Sequence, residues 1–433
     1  MLDVAFIRDN LDAVKANCAN RLVTADIDAV IRLDDDRRRL QRQYDEKKAE
    51  QNAVTDQIKS AGKDAAKREA LVAQSRAMKD DLAKLEAEVK KSKEALDEVI
   101  KLIPNMTHPE APVGSTSADN KVVATFGEPT KFEFKPKDHV DLIEALDLAD
   151  LEAGARVAGQ KFYFLKNEGA LLELALCQYA MMELVRAGFT PVITPDLAKM
   201  DVLEGIGFIP RDPNPETRQV YTIADTDLCL IATAEITLGG MYMNQVLDEA
   251  DLPKKFVGLS HCFRTEAGAA GRDTRGIYRV HQFTKVEMFA FCTPEQSEAI
   301  HQDILAIEQK IFQGLKLPYH VIDTCTGDLG GPAYRKYDLE AWMPGRGQGG
   351  EFGEVTSTSN CTDYQARRLN IRYKPREKKK GNPFVHTLNG TAVACTRALV
   401  AILENYQQAD GTVVVPEVLR PWVGTDVIRP KNR

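Results

Sequence analysis

No CxxC pair, no GxxxxGK[ST] phosphate loop and no membrane-length apolar run occurs in this chain of 433 residues. Each absence excludes something. The eight cysteines stand singly at 18, 177, 229, 262, 292, 325, 361 and 395. Without pairs, neither a structural zinc site nor a thioredoxin-like redox site is expected. Isolated thiols such as Cys229, between Leu228 and Leu230, read as buried groups of a reducing compartment. The opening residues MLDVAFIRDNLDAVK alternate apolar and charged side chains and lack a secretory core. The most apolar stretch, Ala170 to Val185, carries Glu173 and Glu183 and is too short to span a bilayer. A cytoplasmic protein without membrane contact is expected. A formal charge of −7 argues against an indiscriminate nucleic-acid coat, yet leaves room for a local basic surface.

Proline is also missing from Asp26 to Ile103, where aromatics are few and charged residues dense. What is present there is a heptad repeat. Met78, Leu82, Leu85, Val89, Leu96, Val99 and Ile103 follow alternating steps of four and three, interrupted only by Ser92. The first half keeps the same phase through Val30, Leu33, Leu40, Tyr44, Val54 and Ile58, with Arg37, Lys47 and Gln51 at seam positions. Ser60-Ala61-Gly62-Lys63 is the one plausible reversal. The pattern predicts two antiparallel helices of about 33 residues, each about 50 Å long, which project from any compact domain. Taken alone, this segment fits a dimerising coiled coil or a spacer better than an RNA-binding arm, because its acids and bases nearly balance.

Pro104, Pro109 and Pro112, with the run from Gly114 to Ser117, end the coiled coil and mark a linker at about 104–120. Beyond it, strands are expected at Lys161–Leu165, Lys255–Phe263, Val280–Phe291, Arg335–Trp342 and Glu354–Asn360. Helices are expected at Gly169–Ala187, Pro294–Gln313 and Thr391–Gln407. Strand runs with helical inserts and no repeating βαβ order predict an α+β domain on an antiparallel sheet. Gly345 to Gly350 formally contains GxGxxG, but a strand follows where a dinucleotide fingerprint needs a helix N-terminus.

The most informative segment runs from Phe263-Arg264-Thr265-Glu266 through Gly271-Arg272-Asp273-Thr274-Arg275 to His281-Gln282-Phe283-Thr284-Lys285-Val286-Glu287. A strand ends in an arginine and a glutamate, a glycine- and arginine-rich loop follows, and a strand returns with Phe283, Lys285 and Glu287 alternating. Such a hairpin offers cations for polyphosphate, an aromatic face for a base and an inward carboxylate for an amine. His261 beside Cys262 suggests a nucleophile pair, but a histidine at a strand end that is either in the core or backing a neighbouring group is the simpler reading. Lys378-Lys379-Lys380 reads as a solvated loop before it reads as an RNA contact.

On these residues the chain resembles the seryl-tRNA synthetases of bacterial and organellar type, within class II of the aminoacyl-tRNA synthetases. The likeness runs end to end. It rests on Gly188-Phe-Thr-Pro-Val-Ile-Thr-Pro195, the Arg264 hairpin, Thr233-Ala234-Glu235, and Leu388-Asn389-Gly390-Thr391 followed by Arg397. The HIGH and KMSKS motifs of the other synthetase class are absent.

The resemblance implies an N-terminal coiled-coil, tRNA-binding arm at 1–105 and a class II antiparallel-sheet catalytic domain flanked by helices at 106–433. It implies activation of serine by ATP and transfer to tRNA(Ser), with tRNA(Sec) left open as a further acceptor. It also implies a homodimer through Gly188–Pro195 and Mg²⁺ as the companion of ATP. Arg264, Glu354 and Arg397 would be catalytic, and Thr233, Ala234, Glu235, Arg264, Glu287, Asn389 and Thr391 would hold serine. Arg264, Thr265, Glu266, Phe283, Glu354, Val355, Thr356, Ser357 and Arg397 would meet ATP, with the metal at Glu354 and Ser357. Two departures stand out: Thr391-Ala392 replaces the Ser-Gly of many relatives, and the Gly345–Gly350 run looks organellar. The rivals are a class II ligase of other specificity, a paralogue that loads serine onto an acceptor other than tRNA, and an inactive coiled-coil RNA-binding protein.

Overall fold

A computed structural model of the chain describes residues 1–61, 64–208, 219–267, 275–377 and 381–431. Gly62 and Lys63 of the expected reversal, the loop residues Gly268 to Thr274 with Arg272, and Lys378 to Lys380 lie outside the described residues. The chain divides into two compact units, Met1–Pro104 and Asn105–Arg433.

In the first unit two short helices, α1 (Val4–Asp9) and α2 (Leu11–Asn20), precede two long ones, α3 (Ile27–Ser60) and α4 (Ala65–Ile100). The long helices begin where an aspartate can cap them. Asp26 accepts from the Ala29 N–H, and Asp64 accepts from the Lys67 N–H. No proline or glycine breaks them, so α3 runs for 34 residues and α4 for 36. Val54 clusters with Leu71 and Met78, and Lys47 reaches Asp81 at 3.9 Å. Late residues of α3 therefore face early residues of α4, as in an antiparallel hairpin. Every expected seam position, from Val30 to Ile58 and from Met78 to Ile103, is buried or half-buried. Ser92, the break in the repeat, turns its hydroxyl back to the Val89 carbonyl at 2.9 Å and so leaves no unsatisfied polar group in the seam.

The second unit is built on a sheet of eight strands: β1 (Lys121–Phe126), β2 (Thr190–Ile193), β3 (Lys254–Phe263), β4 (Gln282–Cys292), β5 (Tyr319–Asp323), β6 (Arg335–Met343), β7 (Glu351–Asn360) and β8 (His386–Ala394). Their spatial order is β1-β5-β6-β7-β8-β4-β3-β2. All pairings are antiparallel except β2 with β3. The helices that position the site are α5 (Asn167–Arg186), α6 (Ala234–Gly240), α7 (Ser297–Gly314) and α8 (Cys395–Tyr406).

Strand β4 shows how the sequence divides the two faces. Val286, Met288, Ala290 and Cys292 enter the main core with Leu172, Leu176 and Leu399 of α5 and α8. The alternate residues Phe289 and Phe291 enter a second apolar cluster with Ile236 of α6. Lys285 and Glu287 share that second face but carry charge, so the apolar cluster gives way there to a polar cavity.

Three expectations need correction. The helix predicted from Thr391 starts only at Cys395, because Thr391 to Ala394 pair with β4 as part of β8. The β-branched Thr391 and Val393 suit that ladder, and long-range pairing overrides local helix preference. Of the strand predicted at Lys161–Leu165, only Phe164–Leu165 pairs. Of the two readings of His261, the core one also fails. Its side chain is 56% exposed and its Nδ1 lies 2.8 Å from Asp196 Oδ2. Cys262 is fully buried with its thiol pushed up by that burial, so the two do not form a nucleophile pair.

Candidate active site

Two irregularities of the ladder frame the site. The β4–β8 register shifts at Ala392, between Thr391 and Val393, and the β6–β7 register shifts at Val355. Each extra residue re-aims the side chains beside it. Between these bulges lies a cavity of about 450 Å³, within the range of small-ligand sites.

In the cavity wall Thr391 stands directly opposite Glu287 across the β8–β4 ladder. Its hydroxyl donates to Glu287 Oε2 at 3.0 Å, and Lys285 Nζ pairs with the same oxygen at 2.6 Å. Asn389, two residues before Thr391 on β8, donates to Glu235 Oε1 at 3.0 Å. Gln365, on the short helix Tyr364–Leu369, donates to the same oxygen at 2.7 Å. Glu235 lies in the first turn of α6, whose N-cap is Thr233. Burial first, and the nearby Glu287 second, push the Glu235 carboxyl up to about 7. Two carboxyl groups thus share a small volume with one lysine, an arrangement that stabilises an incoming ammonium.

The same cavity is also lined by arginines. Arg264, just past β3, lies 5.3 Å from the Phe283 ring centroid, and its Nε is buried without a partner among the described residues. Glu266 is held by Arg279 at 3.1 Å. Arg397 of α8 pairs with Glu354 Oε1 at 2.9 Å, while 42% of the Glu354 side chain stays open. Burial alone would raise the Glu354 carboxyl, but Arg397, Lys336 and Arg264 outweigh it and hold it down at about 2. Lys336 lines the cavity and pairs with Asp338 at 2.8 Å.

Thirteen of the fifteen residues expected at the site line this one cavity: Thr233, Glu235, Arg264, Glu266, Phe283, Glu287, Glu354, Val355, Thr356, Ser357, Asn389, Thr391 and Arg397. Ala234 and Thr265 do not. Ala234 is fully buried inside α6, and the Thr265 N–H is bonded to the Gln219 carbonyl at 3.1 Å. Thr356 lines the cavity, but its hydroxyl turns beneath the sheet to Glu308 Oε2 at 2.8 Å. Gly390 is needed at that level, since a Cβ there would sit 2.8 Å from Glu308 Oε1 and 2.4 Å from Ile304. Sequence reasoning gave no role to Lys285, Gln365, Glu308 or Tyr278. Lys285 was within reach, because it alternates with Phe283 and Glu287 on one strand face. Gln365 and Glu308 come from helices that carry no motif.

Comparison with known proteins gives consistent matches. Residues 1–107 match the family model described as the seryl-tRNA synthetase N-terminal domain. Residues 221–406 match the class II tRNA synthetase core domain of the G, H, P, S and T group. A serine–tRNA ligase of Rhodopirellula baltica is 54% identical over 429 residues, covering 99% of this chain and all of that one. Seryl-tRNA synthetase from Pyrococcus horikoshii, solved with ATP, superposes with a TM-score of 0.89 at 42% identity, and each chain is covered in full. The cytoplasmic serine–tRNA ligase of Naegleria fowleri, solved with AMP, gives 0.84 at 32% identity, covering all of this chain and 99% of that one. At this identity and coverage, the chain belongs to the seryl-tRNA synthetase family.

Proposed function

We propose that the chain is a serine–tRNA ligase that activates serine with ATP and transfers it to tRNA(Ser). The observation that carries this reading is one cavity lined both by a hydroxyl–carboxylate pair, Thr391 and Glu287, and by Arg264 and Arg397. Such a site orients a small hydroxylated amino acid toward a polyphosphate. A serine carboxylate oxygen attacks the α-phosphorus of ATP, the bond to the bridging oxygen breaks, and pyrophosphate leaves. A terminal ribose hydroxyl of tRNA then attacks the carbonyl of seryl-adenylate and AMP departs.

Glu287, Glu235 and Thr233 hold the ammonium side, while Thr391 and Asn389 close on the hydroxyl. Arg264 meets the charge that develops at the α-phosphate, and Phe283 gives adenine a face to stack on. Glu266, freed from Arg279, reads the adenine edge, and Arg397 meets the terminal phosphates. Rate enhancement comes from positioning and fixed charge, with no covalent enzyme intermediate.

Glu354, kept ionised by its cationic neighbours, and Ser357 on the same strand offer hard oxygen ligands. No cluster of three or more His, Cys, Asp or Glu side chains able to hold a metal occurs among the described residues. Glu354 and Ser357 would hold Mg²⁺ carried mainly by the phosphates, and the ion would supply positive charge to offset that of the pyrophosphate.

We also propose that Met1–Pro104 is the tRNA-binding arm and that two chains pair through the Gly188–Pro195 segment. Edge strand β2 supports the pairing, since Ile193 is 82% exposed, and so does α5, where Leu174 is 66% exposed. A monomeric mass by light scattering at micromolar concentration, with full activity, would contradict the dimer. For the ligase, the deciding experiment is ATP–pyrophosphate exchange with each amino acid in turn. Exchange that depends on serine and disappears in Glu287→Ala is expected; exchange indifferent to serine would refute the reading. No helix among the described residues is long and apolar enough to cross a membrane.

A further inference from the structure

The glycine-rich run Gly345–Gly350, which fails as a dinucleotide fingerprint, brings Arg346 to an aromatic ring. Tyr278 is 7% exposed and lines the cavity. Its ring centroid lies 4.4 Å from the Arg346 guanidinium carbon and 5.1 Å from that of Arg397. The Tyr278 hydroxyl donates to the Glu354 carbonyl at 2.9 Å, and Arg397 Nη1 donates to the same carbonyl at 3.2 Å. A Cβ at position 353 would stand 2.7 Å from Arg346 Nη1 and 3.0 Å from the Tyr278 hydroxyl, so the stack closes only over glycine.

The loop is tied to the helix that carries Arg397. The Gly345 N–H donates to Glu404 Oε2 at 2.9 Å, and Glu404 lies two turns beyond Arg397 on α8. The other Glu404 oxygen meets the N–H and Nδ1 of His139, both at 2.9 Å. An aromatic face attracts a guanidinium without occupying its N–H donors. Glu354 engages Nη1 of Arg397, and the Tyr278 face helps hold the guanidinium without occupying its remaining N–H groups, which can turn to phosphate oxygens.

We propose that Tyr278 and Arg346 are positioning residues for Arg397, and that they set the affinity for ATP and leave serine binding alone. This rests on the reading that Arg397 meets the triphosphate. The test is steady-state ATP–pyrophosphate exchange on the full chain with Tyr278→Leu, Tyr278→Phe, Arg346→Met and the Leu/Met double variant.

Tyr278→Leu should raise the apparent KM for ATP about tenfold, with the KM for serine within about twofold of the unsubstituted protein. Tyr278→Phe keeps the ring and should stay within about threefold. Arg346→Met should raise the KM for ATP about threefold, and that increment should vanish once the ring is gone. A KM for serine that rises in step with that for ATP would overturn the proposal, as would an Arg346→Met effect that persists without the ring. An unchanged KM for ATP in Arg346→Met would overturn it alone, even if Tyr278→Leu does not fold. No serine-dependent exchange in the unsubstituted protein would instead remove the ligase reading on which the proposal rests.

Discussion

In the helical unit, many charged side chains pair with neighbours one turn away and stay in water. Lys59 with Asp56 and Arg39 with Asp36 are each more than half exposed. In the sheet unit the charges around the cavity are more buried, pairing between elements as Arg397 does with Glu354 or along one strand as Lys285 does with Glu287. Exposed pairs one turn apart contribute about 0.3–0.5 kcal/mol each and can be exchanged freely. Buried groups cost several times that when one partner is lost. Asp34 is an exception within the arm: fully buried, it takes Arg8, Arg37 and Arg38 at 3.0, 2.8 and 2.7 Å and fastens α1 to α3. The contrast implies that the arm is defined by shape and surface, and the sheet unit by individual side chains.

The sharpest way to break this comparison is to remove the arm. A chain lacking Met1–Pro104 is expected to keep serine-dependent exchange within about threefold while tRNA charging falls by at least about a thousandfold. Duplex RNA is recognised by shape and backbone over an extended surface, whereas serine activation needs only the cavity. Equal losses in both assays, in a folded truncation, would show that the two units do not divide the work.

A single hydroxyl gives the next largest effect. Thr391→Val keeps the shape of the strand and removes the donor to Glu287. The expected loss in kcat/KM for serine is about 1–3 kcal/mol, since a buried carboxylate and a substrate hydroxyl each lose a partner. Alanine has no hydroxyl to lose, so the serine-to-alanine ratio should shrink. A ratio that stays constant would make Thr391 a structural residue only.

These two regions also differed in how far the sequence could be read. The arm was legible almost residue by residue, because a heptad seam is a local signal and both helices kept its phase. The hairpin that presents Phe283, Lys285 and Glu287 was legible for the same reason, with a period of two in place of seven. Strand β1 escaped notice because all six of its residues are exposed, so no alternation marks it. The late start of α8 escaped because the bulge at Ala392 and the pairing of Thr391 with Glu287 arise between segments a hundred residues apart. Gln365 and Tyr278 likewise take their meaning from partners that no spacing rule connects.

The smallest expected effect tests the claim that the cavity itself works against stability. Glu235 has a folded pKa of about 7 against an ordinary value of 4.5, raised by burial and then by Glu287. Below about pH 4.5 the group is protonated whether the chain is folded or not, and it makes no difference. As pH rises toward 7 the unfolded chain releases this proton while the folded chain retains it, so stability falls. Above about pH 8 the group is ionised in both states and the loss is complete. Glu235→Gln keeps an oxygen to accept from Asn389 and Gln365 but carries no proton to release. Its melting temperature relative to the unsubstituted protein should therefore climb between pH 4.5 and 7 and level off above 8. A shift of this size corresponds to on the order of 1–3 kcal/mol, or a few degrees for a unit this large. Glu287, Lys285 and Arg264 face the same volume in both proteins. Saturating serine should narrow the gap at neutral pH, because its ammonium favours the ionised carboxylate. A difference that is flat across the range would mean that Glu235 ionises at its ordinary pH despite its surroundings.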